Sequence, residues 1–71
     1  MNYAQEIIRD LEDRIALAQS YLDRGEGFPG AGIGGTYRDA ERLDITRRYI
    51  SSLNDAITIA YRAMARRANV A

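Results

Sequence analysis

Residues 25–35, with the sequence GEGFPGAGIGG, decide how this chain folds. They hold all six glycines and the single proline of a 71-residue chain, and neither residue type occurs on either side. Glycine and proline disfavour an α-helix more than any other residues, so the helix breakers are confined to one segment. The sequence therefore predicts one domain over residues 1–71, with two helices joined by a glycine-rich loop at 25–36.

Before the loop, the apolar residues predict an amphipathic helix at about residues 3–24. The steps between apolar positions alternate between four and three residues, which is the spacing of one helix face, at Ala4, Ile8, Leu11, Ile15, Ala18 and Leu22. Asn2 is a suitable N-cap residue. Gly25 directly follows Arg24, where the end of a helix favours glycine.

After the loop, a second helix is predicted at about residues 37–68, with Thr36 as its N-cap. Its apolar seam repeats every seven residues, at Leu43, Ile50, Ile57 and Met64, with Leu53 and Ala60 at the other seam position. With a rise of about 1.5 Å per residue, the helices are roughly 33 and 48 Å long. An antiparallel arrangement would then leave about eight residues at the end of helix 2 without a partner.

Two helices cannot enclose a core, and a chain of this size gains little free energy from burial alone. We therefore expect an all-α fold, an antiparallel two-helix hairpin that assembles into a homo-oligomeric helical bundle. Small side chains on helix 2 would allow close helix approach between subunits, at Ala56, Ala60, Ala63, Ala65 and Ala68.

The composition argues against an enzyme. The chain has no Cys and no His, and all ten of its basic residues are Arg, so the usual nucleophiles and general bases are missing. Glu6 and Asp10 lie one helical turn apart, but the Glu-x-x-His motif of di-iron bundles is absent. We predict no catalytic residue, no cofactor and no metal site.

The loop admits two interpretations. It matches neither the Walker pattern nor the dinucleotide-binding fingerprint, so a flexible connector is the simpler one. Alternatively, its backbone N–H groups bind an anion next to a helix N-terminus. Phe28 and Ile33 are unusual in a solvent-exposed linker; they would fold back over the hairpin or insert into a neighbouring subunit.

The charges are balanced overall but unevenly distributed. Residues 1–26 have three arginines and six acids, whereas residues 37–71 have seven arginines and four acids, and the net charge is zero. We therefore expect no binding to duplex nucleic acid. Without an apolar run of membrane-spanning length or a signal-peptide pattern, we also expect a cytoplasmic protein with no membrane partner.

Arginines and tyrosines are predicted to gather at the two ends of the hairpin. The loop end would hold Arg24, Thr36, Tyr37 and Arg38; at the open end, Tyr3 would lie near Tyr61 and Arg62, with Arg66 just beyond. Such side chains stack on bases and bind phosphates, but they also anchor protein interfaces. Arg62, Arg66 and Arg67 would complement the helix dipole, an anionic ligand, an acidic partner or helix 1 of a neighbour.

Residues 53–67, LNDAITIAYRAMARR, resemble the second helix of the phage anti-CBASS and anti-Thoeris nucleotide sponges. Many members of that family have a hydrophobic helix that ends in an Arg-Ala-aliphatic-Ala pattern, here Arg62, Ala63, Met64 and Ala65. The resemblance implies a helical-hairpin oligomer, often a hexamer, that sequesters cyclic di- or trinucleotide immune signals without cleaving them in the host bacterial cytoplasm. Within the motif, it implies phosphate contact by Arg62.

Three other functions remain open on the sequence alone. A hairpin of the same shape would serve as an inhibitor or adaptor that docks the end of helix 2 on a host protein. It would also serve as a purely structural subunit. A nucleic-acid binder is the least favoured, because helix 1 cancels the positive charge of the second half.

Overall fold

The computed structural model describes residues 3–35 and 37–69, with side chains described as far as Arg67. Helix α1 spans Tyr3–Asp23 and helix α2 spans Asp39–Asn69, and a short 3-10 helix lies between them at Pro29–Ala31. The two long helices pack against each other in antiparallel directions, and no strand occurs within these ranges. The predicted all-α helical hairpin is confirmed.

Helix α1 ends at Asp23, one residue earlier than predicted, in a glycine C-cap. Gly25 has a φ of 73°, a left-handed conformation that glycine adopts without steric cost. Its N–H donates to the Leu22 carbonyl at 2.8 Å, and the Glu26 N–H donates to the Tyr21 carbonyl at 2.8 Å. This pair of bonds is the Schellman motif, and it satisfies carbonyls that the helix end leaves without partners.

Helix α2 begins at Asp39, two residues later than predicted. The Arg38 carbonyl accepts its first helical hydrogen bond, from the Arg42 N–H at 2.9 Å. The predicted N-caps, Asn2 and Thr36, both lie outside the described residues.

The core between the helices is thin. Its buried apolar side chains are Ile8, Ala18, Phe28 and Leu53, and the hydroxyl-bearing Thr46 is also fully buried. Thr46 stands seven residues before Leu53 and so occupies the same seam position of α2. The molecule measures 51 × 18 × 17 Å, the shape of a single helical hairpin. Neither described helix is long and apolar enough to cross a membrane.

The register between the helices differs from the predicted one. Tyr3 and Arg67 line the same groove, so the end of α2 lies beside the start of α1 and the predicted unpartnered C-terminal segment is wrong. Instead, residues 39–45 extend beyond the end of α1. The connection folds back along these first turns of α2, with Gly27 against Arg42. It thereby packs on the part of α2 that the shorter α1 does not reach.

Candidate functional site

The loop end of the hairpin is closed by Phe28. Its ring lies between Tyr21 and Tyr49, with centroid distances of 5.2 and 5.7 Å, which are typical of favourable aromatic pairs. The Phe28 N–H donates to Oγ1 of Thr46 at 2.9 Å, and the Thr46 hydroxyl donates to the Arg42 carbonyl at 2.8 Å. Phe28 thus folds back over its own hairpin, and the connector is anchored at this point.

Arg42 holds the second half of the connection. Its Nε donates to the Tyr37 carbonyl at 3.2 Å, and its Nη2 lies 3.5 Å from the Gly34 carbonyl. Sequence reasoning missed both Arg42 and Thr46. The available signal was Thr46 itself, a hydroxyl at a seam position where an apolar side chain is expected.

Two of the loop glycines are required by close packing. A Cβ on Gly27 would lie 2.7 Å from Cβ of Arg42, and a Cβ on Gly30 would lie 2.5 Å from the Phe28 ring. Because Gly27 and Gly30 have no side chain, the connector can pack closely against α2 and against the Phe28 ring. Such packing is a structural role for part of the glycine-rich segment.

The predicted ligand-binding residues of the loop end are partly engaged in other contacts. The Arg24 guanidinium lies over the Tyr21 ring at 4.6 Å from its centroid and 3.5 Å from the Glu26 carboxylate. Tyr37 and Arg38 are exposed at the same end. A groove of about 470 Å³ lies nearby, but none of these predicted residues lines it. Thr36 lies outside the described residues.

The open end has a larger, mainly apolar groove of about 590 Å³ between the helices. Its lining consists of Tyr3, Ala4, Ile7, Ala60, Ala63, Met64 and Arg67. Tyr3 is 76% exposed and Ile7 is 43% exposed, so large apolar side chains of α1 stand uncovered beside small ones of α2. Ligand grooves commonly combine apolar walls with a few polar groups at the rim.

The other predicted residues of this end do not join Tyr3. Tyr61 lines a separate groove of about 400 Å³, together with Gln5, Ile8, Arg9, Glu12, Asp13 and Met64. Arg62 is two positions from Met64, roughly 200° around the helix, so it lies on the side of α2 away from α1. Arg66 is also exposed and lines neither groove. Tyr3 therefore shares its groove with Arg67, and neither Tyr61 nor Arg62 lines that groove.

The arginines at the end of α2 have no counter-charge within the described ranges. The ion pairs found there join Arg24 to Glu26 and Asp44 to both Arg47 and Arg48. Arg62, Arg66 and Arg67 make neither an ion pair nor a side-chain hydrogen bond with the described part of the chain. Three cations without partners thus lie within two turns of one helix. The same part of the chain contains no acidic cluster suited to a metal ion.

Comparison of the chain with protein families, with curated proteins and with solved structures found no match. The features of this chain that bear on its function are therefore the helical hairpin, the exposed apolar side chains at its open end and the unpaired arginines at the end of α2.

Proposed function

We propose that this chain is a non-catalytic binding protein that assembles into a homo-oligomer and sequesters cyclic di- or trinucleotides. The observation that supports this proposal most strongly is the group of unpaired arginines at the end of α2. Guanidinium groups bind phosphate through paired hydrogen bonds and stay charged at all physiological pH values. The resemblance of residues 53–67 to the phage nucleotide sponges supplies the ligand class.

The proposed roles follow from the exposed positions of the side chains. Arg62 contacts a ligand phosphate from the outer side of α2, and Arg66 lies one turn further on the same helix. Tyr37 and Arg38 at the loop end of another hairpin complete the pocket, with the tyrosine ring available to stack on a base. Arg24 contributes less, because it must first leave Tyr21 and Glu26.

Binding without cleavage fits the chemistry of the chain. Its sequence has no His, Cys or Lys, and phosphodiester hydrolysis without a metal ion would need a strong general base. In the proposed biological role, the protein withholds the signal from an immune effector in the bacterial cytoplasm and so protects a phage.

Native mass spectrometry of the protein, alone and with a pool of cyclic di- and trinucleotides, tests the proposal. We expect a closed oligomer, such as a hexamer, that gains discrete nucleotide masses in proportion to its subunit number. A monomer or an oligomer that gains no nucleotide mass would contradict it.

A pair of variants tests the role of Arg62. Arg62→Ala should weaken nucleotide binding at least tenfold, the effect of losing about 1.4 kcal/mol. Arg47→Ala is the matched control, because Arg47 is an exposed arginine of α2 that already pairs with Asp44; it should leave binding unchanged. An Arg62→Ala protein that assembles and binds every cyclic nucleotide as before would exclude the role of Arg62.

A second candidate function, a host-protein inhibitor or adaptor, is favoured by the exposed apolar side chains. Ile59 on α2 is 64% exposed and Tyr61 is 54% exposed. Such residues anchor helix-mediated recognition. In this case a pull-down from host lysate should enrich one protein, Ile59→Glu should abolish that enrichment, and cyclic nucleotides should not bind.

A further inference from the structure

The groove that contains Tyr61 differs in character from the apolar groove beside Tyr3. We call it the Tyr61 groove; it measures about 400 Å³. Met64 and the buried Ile8 line it where the two helices meet. The rest of its lining is polar or aromatic and consists of Gln5, Arg9, Glu12, Asp13 and Tyr61. An apolar floor with a few polar groups around it is the usual composition of a small-molecule site.

Two charged side chains of opposite sign stand next to each other on the α1 side of this groove. Arg9 directly follows the buried Ile8, and Glu12 comes one helical turn after Ile8. Residues three positions apart on a helix lie on the same side of it, with about 5–6 Å between their Cβ atoms. A guanidinium and a carboxylate thus lie side by side, and the Tyr61 ring lines the groove from α2.

Neither charge is used within the described part of the chain. Arg9 and Glu12 make no ion pair and no side-chain hydrogen bond there. The same spacing on α2 does produce an ion pair, between Asp44 and Arg47. The order of the charges explains the difference, because an acid that precedes a basic residue along a helix pairs better than the reverse. The hydrogen-bonding groups of Arg9 and Glu12 are therefore available to a ligand.

The chemistry of this pair selects one kind of ligand. A guanidinium only donates hydrogen bonds and a carboxylate only accepts them, and each can do so through two atoms at once. A matching ligand has two adjacent acceptors beside two adjacent donors. Guanine has both, with O6 and N7 as acceptors and with N1–H and the N2 amino group as donors. Adenine, cytosine and uracil have no edge with two adjacent donors.

We propose that the Tyr61 groove is a guanine site. The base stacks on the Tyr61 ring, which is 54% exposed, as bases stack on aromatic side chains of other binding proteins. Arg9 donates to O6 and N7, and the Glu12 carboxylate accepts from N1–H and the N2 amino group. Because carboxylate and guanidinium contacts are charge-assisted, they discriminate strongly between bases.

This inference deepens the proposed function and rests on it for the cyclic nucleotide. Arg62 directly follows Tyr61 and lies about 100° further around α2. One ligand therefore reaches the groove with a base and the long Arg62 side chain with a phosphate. The proposed binding protein is thereby assigned a base preference, for guanine over adenine.

The first test compares two cyclic dinucleotides that differ only in their bases. Isothermal titration calorimetry should give cyclic di-GMP a dissociation constant roughly tenfold or more below that of cyclic di-AMP, the discrimination of one good bidentate contact. Equal affinities, or tighter binding of cyclic di-AMP, would overturn the guanine site and leave the proposed sequestration intact.

A matched pair of acid substitutions on α1 assigns the preference to Glu12. Glu12→Gln replaces one acceptor of the carboxylate with a donor and should reduce the ratio of the two dissociation constants roughly fivefold or more. Glu6→Gln makes the same change at an exposed acid that lines none of the grooves described above, and it should leave the ratio within about twofold. Both acids are exposed, so circular dichroism should show unchanged helicity. Equal effects of the two substitutions would overturn the role of Glu12.

A second pair of variants tests the stacking. Tyr61→Ala should weaken binding of cyclic di-GMP roughly fivefold or more, because it removes the ring on which the base stacks. Tyr61→Phe keeps the ring and should retain the affinity within about twofold. An alanine variant that binds cyclic di-GMP as tightly as the wild type would show that the base lies elsewhere.

Guanosine 5′-monophosphate separates the guanine site from the cyclic ligand. In NMR titrations of the whole protein at millimolar nucleotide, it should shift amide signals of residues 8–13 and 61–64 more than adenosine 5′-monophosphate does. This result in a protein that binds no cyclic di- or trinucleotide would keep the site and reject the proposed sequestration. Absence of both kinds of binding would reject both proposals.

Discussion

The two ends of the hairpin differ in how their apolar side chains are covered. At the loop end, Phe28 fills the space between Tyr21 and Tyr49, and Thr46 bonds the backbone of the connector. At the open end, Tyr3 and Ile7 lie at the surface with no covering segment within the described residues. At the loop end, the connector therefore covers the two helices, whereas at the open end the apolar side chains stay exposed.

This difference separates stability from assembly along one molecule. Because burial and hydrogen bonding concentrate at the loop end, substitutions there should change the free energy of unfolding. Substitutions of the exposed side chains at the open end, such as Tyr3 and Ile7, should instead change the proposed association. All comparisons of stability need a fixed protomer concentration, since assembly itself shifts the apparent stability.

Phe28→Ala should have the largest effect on stability. Phe28 is only 8% exposed, and removal of a buried aromatic ring costs about 3–5 kcal/mol. We expect the loop end to open and the midpoint of urea unfolding to fall steeply.

Tyr3→Ala provides the control from the other end. It removes an aromatic ring of similar size that is 76% exposed, so the unfolding free energy of the dissociated chain should change by no more than about 0.5 kcal/mol. Equal losses in both variants, measured by circular dichroism below the dissociation constant, would mean that the two ends do not differ.

Thr46→Val should have the next largest effect, because it leaves the buried Phe28 N–H without an acceptor. The valine side chain has nearly the same shape, so the loss of about 1–3 kcal/mol comes from the unmade hydrogen bond. Thr46→Ser keeps the hydroxyl and should retain more of the stability. Slow amide exchange at Phe28 in the wild type and fast exchange in the valine variant would support this assignment.

Much of the fold was predictable because its determinants are local. The confinement of glycine and proline to residues 25–35 separates two helices, and Gly25 occupies the C-cap position that helix ends favour. The register was not predictable in this way. It depends on contacts between distant parts of the chain, such as the bond from the Phe28 N–H to Thr46, which no spacing rule encodes.

The candidate site was harder to predict than the fold. Helix spacing correctly places Tyr3 at the open end, but a shift of a few residues in register exchanges its neighbours, so Arg67 lines its groove instead of Arg62. A helix turns by about 100° per residue. Arg62 is two positions from Met64, which lines the groove, and it therefore lies on the opposite surface of α2. The ligand-binding roles of Arg24, Tyr37, Arg38, Arg62 and Arg66 stay predictions.

A third prediction compares two glycines of the connector. Gly27→Ala should cost about 1–2 kcal/mol, because its Cβ would lie 2.7 Å from Cβ of Arg42 and the loop must shift to accept it. Gly35→Ala meets nothing within 4 Å and should be neutral or slightly stabilising. Denaturation of both variants checks this, and a neutral Gly27→Ala would show that the connector does not pack tightly on α2.

The smallest expected changes in the free energy of unfolding have opposite signs at the two ends of the hairpin. Arg24→Ala removes the contacts with Tyr21 and Glu26 and should cost about 0.5–1 kcal/mol. Arg62→Ala should instead stabilise the helix by about 0.2–0.5 kcal/mol, because it relieves repulsion from Arg66 one turn away. Thermal unfolding in low salt checks both values, and added salt should shrink the gain at Arg62. If Arg62→Ala were destabilising, Arg62 would already have a partner within the assembly, and its charge would then serve the interface between subunits instead of a ligand.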